Sequence, residues 1–95
     1  MNDLRNLRMS VNASIVSQAF DSELMLFNLE TDGIYQLNAT GKQVWELVSA
    51  GWNMARIQEH LLITYDVDAD VLAHELSTTI TMLLDEKLVM VTDAN

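Results

Sequence analysis

The sequence predicts an α+β fold, winged helix-turn-helix-like, in which a three-stranded antiparallel sheet packs on three helices. Three observations carry this expectation. Short alternating apolar segments fill the first forty residues, with an Asp32-Gly33 turn between two of them, and stretches of helical spacing fill most of the remainder. The two regimes meet at Ile34-Tyr35-Gln36-Leu37, which runs into Asn38-Ala39-Thr40-Gly41 with almost no loop. Ninety-five residues with 49% apolar content fit one small domain with a single core. A sheet of three strands needs cover on one face, and the helices are the only cover on offer.

In chain order, residues 1–12 read as a flexible N-terminal segment, with a helical turn around Leu4 to Arg8 as the weaker alternative. The domain proper is expected over 13–91. Residues 13–20 form a first strand, with Val16 and Phe20 on one side and Ile15, Ser17 and Ala19 on the other; 23–29 form a second, apolar on both sides. Residues 30–33 are a turn, because Asp-Gly readily supplies the positive φ that a tight hairpin demands, and 34–37 return as the third strand. Asn38 is positioned to cap a helix over 39–50, with Val44, Leu47 and Val48 inward, Trp45 at the helix-sheet boundary, and a stop near Gly51. Gly41 is a poor helix former, so its place implies a close approach. Asn53 caps a second helix to about residue 65, and Asp68 caps a third to about 86, whose stripe of Leu72, Leu76, Ile80, Leu83 and Leu84 is the strongest periodic signal in the chain. Residues 88–91 are a terminal strand or extended clamp, and 92–95 a tail.

Charge and composition exclude several functions. Five Lys and Arg stand against fourteen Asp and Glu, a formal net charge of −9. Neutralising phosphates needs local positive charge, so a nucleic-acid partner is not expected, and the third helix, the one a winged helix would insert into DNA, carries Asp70, Glu75, Asp85 and Glu86. No cysteine is present, which removes disulfides, thiol nucleophiles and cysteine metal sites. No run of eighteen apolar residues occurs, and the first twenty residues lack a basic region followed by an apolar core; the chain reads as soluble and cytoplasmic, with no membrane partner. His60 and His74 sit on different helices with no metal-ligand pattern, and His74 to Thr78 is merely one helical turn rather than a base and nucleophile. Asp66, Asp68 and Asp70 alternate like a metal loop but are accounted for by the helix that follows. No catalytic residue, metal or cofactor is expected. Three functions remain: peptide capture by strand addition at the open edge of 34–37, a DNA-binding regulator, and a structural dimerisation domain that buries the same edge. The oligomeric state, monomer or homodimer, stays open.

Within this frame the chain resembles the PqqD-like family, the small peptide chaperones of pyrroloquinoline quinone biosynthesis and related recognition elements of ribosomally made, modified peptides. The resemblance covers residues 15–91. It rests on LFNLETDGIYQLNATGKQVWELVSAG from Leu26 to Gly51, then IQEHLLITYDVD, then the long helix to LLDEKLV. Within the first stretch the matching positions are Tyr35, Leu37, Asn38, Thr40, Gly41, Val44 and Trp45. This version looks closer to lasso-peptide relatives than to the quinone-cofactor protein. The resemblance implies that a precursor leader adds as a strand beside Ile34, Tyr35, Gln36 and Leu37, against a helical wall of Leu76, Thr79, Ile80 and Leu83. It also implies delivery to a separate radical enzyme or leader peptidase. Two positions depart from the family pattern: Ala69 stands where proline is frequent, and Lys87 where glycine is frequent, which leaves the last turn's geometry open.

Overall fold

A computed structural model describes residues 8–93. Strands β1 (Arg8–Val11), β2 (Ile15–Phe20), β3 (Glu23–Asn28) and β4 (Ile34–Leu37) precede helices α1 (Ala39–Ser49), α2 (Met54–Thr64) and α3 (Ala69–Asp85), and strand β5 (Val89–Asp93) follows. β2, β3 and β4 form the expected antiparallel meander, in that spatial order. Its inner face contributes Leu24, Leu26 and Leu37 to a core shared with Val44, Trp45 and Val48 of α1, Ile57 and Leu61 of α2, Leu72, Leu76, Ile80 and Leu83 of α3, and Met9, Leu88 and Val89 near the two ends. Its outer face stays open: Val16, Phe20 and Ile34 are exposed.

The sequence reading erred at the two ends. Arg8–Val11, placed in a flexible segment, is a strand paired with β5 in a separate two-stranded sheet, in the register Met9↔Val91 and Val11↔Val89. Asn12 N–H donates to Leu88 O at 2.9 Å, and Met9 is buried. A four-residue strand whose partner lies at the far end of the chain leaves little local signal, since its pairing is entirely non-local. β5 runs on to Asp93, into the expected tail. Residues 1–7, where most of the alternative helical turn falls, and residues 94–95 lie outside the described residues.

The β3–β4 turn also differs in kind from a tight Asp-Gly hairpin. Asn28 N–H donates to Gly33 O, and the buried Asn28 side chain accepts from Glu30 and Thr31 N–H at 2.9 and 3.3 Å, so the loop is wound around Asn28. The positive φ, 62°, falls on Asp32 rather than on Gly33. Gly33 instead leaves room for Tyr35: a Cβ there would lie 2.8 Å from the Tyr35 hydroxyl, and the tyrosine side chain would have to shift.

The three helix N-caps are those expected. Asn38, Asn53 and Asp68 accept from Gly41, Arg56 and Asp70 N–H respectively. α1 and α3 end alike. Gly51 N–H donates to Val48 O and Trp52 N–H to Leu47 O; Lys87 N–H donates to Leu84 O and Leu88 N–H to Leu83 O. Both are Schellman endings, which place the residue after the C-cap in the left-handed region. At α1 that residue is Gly51, φ 89°, whereas at α3 it is Lys87, φ 59°. The departure at Lys87 therefore preserves the turn at the cost of backbone strain. Lys87→Gly is expected to raise unfolding free energy by about 1 kcal/mol, because relief of left-handed strain outweighs the added chain entropy. Urea unfolding checks this, and an unchanged or lower midpoint would contradict it.

Candidate functional site

Among the described residues β4 has β3 on one side and no strand on the other. The bonds Asn28 N–H to Gly33 O and Leu29 N–H to Ser14 O set the phase of the meander. Carried along the register, they make Leu26/Tyr35 and Leu24/Leu37 the hydrogen-bonded pairs. Tyr35 and Leu37 thus spend their backbone polar groups on β3, while Ile34 and Gln36 direct theirs to the free edge. Side chains divide in the same alternation. Leu37 is buried and Tyr35 half-buried on the helix side, whereas Ile34 is exposed and the Gln36 amide donates to the Glu23 carboxylate across the outer face.

Among the described residues β2 also has a free edge, and β4 runs beside a trough walled by α3. β4 packs on β3 and α1, while α3 packs on α2, α1 and β5. Two hollows that share Asn38, Thr78 and Thr79 open along α3, one against the start of α1 and one against the end of β4. The first, of about 260 Å³, is lined by Asn38, Thr40, His74, Glu75, Thr78 and Thr79. The second, of about 210 Å³, is lined by Gln36, Leu37, Asn38, Gly41, Thr78, Thr79 and Met82. Gly41 forms part of the floor, where a Cβ would come within 3.0 Å of Leu37 Cβ, so the residue that weakens the helix also lets α1 start flush against β4. Beyond Met82 the Tyr35 hydroxyl donates to Glu86 Oε1 at 3.0 Å and ties β4 to the end of α3. Acceptance by this carboxylate, with some desolvation and the Glu86 charge, raises the Tyr35 phenol above its ordinary 10.0.

The structure redistributes the expected helical wall. Thr79 is half-buried and lines both hollows. Leu76, Ile80 and Leu83 do not: they are 3%, 6% and 0% exposed and belong to the core. The α3 side is lined by His74, Glu75, Thr78, Thr79 and Met82, and the last four form a stripe at i, i+3, i+4 and i+7 that lies one position behind the core stripe. Its spacing was visible in the sequence. Which flank of the core stripe faces β4 depends on how α3 crosses α1 and α2, and no local pattern encodes that. Asn38 and Thr40, read only as cap and spacing residues, also line the trough. His60 lies elsewhere, edge-on to Trp52 at 5.4 Å, with Arg56 over the same indole at 4.1 Å. Among the described residues no three His, Cys, Asp or Glu side chains gather as a metal site, and no helix is long and apolar enough to cross a membrane.

A meander with one edge left open beside a helix, backed by three helices and clamped by paired chain ends, defines a class of small α+β modules. The family described as coenzyme PQQ synthesis protein D (PqqD) matches residues 23–89, and the chain belongs to it. Two solved structures share the fold. TbiB1, solved in complex with the TbiA(beta) leader peptide, superposes with a TM-score of 0.79 at 24% identity, covering 90% of this chain and 99% of that one. A lasso peptide synthetase B1 complexed with the leader peptide gives a TM-score of 0.78 at 17% identity, covering 87% of this chain and 98% of that one. No curated protein sequence matches the chain.

Proposed function

We propose that this protein captures the leader segment of a ribosomally made precursor peptide by strand addition at β4 and presents the peptide to a separate modifying enzyme or leader peptidase. The observation that carries the reading is the free β4 edge, with Ile34 and Gln36 directing backbone groups outward, set beside the α3 trough. Membership of the PqqD family supports it, as does the likeness to two proteins solved with leader peptides. A strand added there pairs its backbone with Ile34 and Gln36, sends alternate side chains into the trough, and lays the others beside Ile34 on the outer face. The backbone pairing provides affinity independent of sequence, and the trough provides selectivity.

The reading requires no catalytic step in this chain. Holding the leader near a processing enzyme makes delivery of the core peptide nearly intramolecular, and the gain comes from effective concentration. Duplex binding finds no support in the geometry: α3 exposes Asp70, Glu75 and Asp85 to solvent, and its C-cap Glu86 is exposed as well. Calorimetric titration with the leader of the precursor encoded beside this gene should show binding at roughly micromolar or tighter, about −8 kcal/mol. Absence of heat and of competition with any cognate leader would refute the proposal.

A further inference from the structure

The two hollows of the trough differ in chemistry, and the difference bears on what a bound strand must carry; the argument rests on leader capture at β4. The hollow over Met82 has Leu37, Met82 and the bare Gly41 on its floor, with Gln36, Asn38, Thr78 and Thr79 around it. Its neighbour shares Asn38, Thr78 and Thr79 and adds Thr40, His74 and Glu75, the one carboxylate that lines either hollow. Neither hollow is lined by Lys or Arg. Lys42, which follows Gly41, reaches instead to the Asp21 carbonyl at 3.3 Å.

The spacing matches a strand. Glu75 and Met82 are separated by seven residues of helix, roughly 10 Å at 1.5 Å per residue. Thr78 and Thr79 belong to both hollows, so their centres are closer together than that. Side chains on the same face of a strand recur at roughly 6.8 Å. A pair of such side chains on an added strand therefore spans a distance of the same order as the run of α3 from Glu75 to Met82. We infer that the trough selects leader segments carrying a cationic side chain, Lys or Arg, two residues from an apolar one, with the cation held against Glu75 and the apolar group over Met82. The net charge of −9 attracts such a segment at a distance, and Glu75 sets which position carries the charge.

Selection from a random twelve-residue peptide library displayed on phage tests this with the full chain, with no need to know the natural leader. Wild-type protein should enrich Lys or Arg at one position, two residues from an enriched apolar position. Selection on E75K should lose that bias and enrich Asp or Glu at the same position. Glu75 is exposed, so neither E75Q nor E75K disturbs the core. For the best wild-type peptide, E75Q should weaken binding about two- to fivefold, as for an exposed ion pair, and the loss should shrink as salt is added. Persistence of the basic bias in E75K overturns the inference. So does a set of peptides that need an intact β4 edge but show no charge preference, and that result leaves leader capture standing. Enrichment of nothing, or of peptides that bind Gln36→Pro as tightly as wild type, removes strand addition itself and the inference with it.

Discussion

Leu83→Ala is expected to lower the free energy of unfolding by about 3 kcal/mol, since deleting a buried leucine removes its transfer energy and leaves a cavity. Leu83 is 0% exposed and sits in the cluster shared by the sheet and all three helices, where collapse around the void is restricted from every side. In a domain of this size the melting temperature should fall by on the order of 15 °C. Met82→Ala, one residue earlier on the same helix, should behave inversely. Its side chain is half-buried and lines the trough, so it should cost about 1 kcal/mol of stability. Its larger effect should be on peptide affinity. The pair separates the two roles that the sequence reading merged, because both residues are long, apolar and at the same end of α3. Thermal unfolding together with peptide titration decides it. If Leu83→Ala kept its melting temperature and lost binding, the wall would have to be moved back onto the core stripe.

How far the sequence alone reached follows from the range of each interaction. The caps Asn38, Asn53 and Asp68 act over two or three residues, and each was assigned correctly from its neighbours. The meander was legible because three apolar-rich segments of strand length, β2, β3 and β4, are joined by short turns. β1 was not, because Arg8–Val11 finds its partner some eighty residues away and only Met9 of the strand is fully buried. The same limit applies to the site. The β4 edge could be read from strand order, since the last strand of a meander has one free side. The α3 wall could not, because Leu76 and Glu75 are adjacent in sequence, and the packing angle of α3 decides which faces the core and which the trough. At Lys87 a rule about residue type, glycine after the helix, was broken without loss of the geometry, since a lysine is held at φ 59° by the two Schellman bonds.

Gln36→Pro is expected to weaken leader binding at least tenfold, about 1.4 kcal/mol, while the fold survives. The asymmetry comes from the phase of the meander. Proline removes one backbone donor, and at Gln36 that donor points to the free edge, so no bond to β3 is lost. Tyr35, the preceding residue, already lies in a strand, the conformation that a following proline favours. An incoming strand, however, loses a central hydrogen bond and meets the pyrrolidine ring where it must approach most closely. The substitution also removes the side-chain bond to Glu23, and Gln36→Ala controls for that loss: it should bind nearly as well as wild type, because it keeps the backbone donor. Tyr35→Pro is the opposite case. Its N–H belongs to the Leu26 pair, so it should unfold or severely destabilise the sheet before any question of binding arises. Titration of the three variants, with circular dichroism to establish folding, separates an edge that holds the sheet from an edge that holds a peptide. A folded Gln36→Pro protein with wild-type affinity would mean that the leader docks elsewhere. The β2 edge would then be the next place to look.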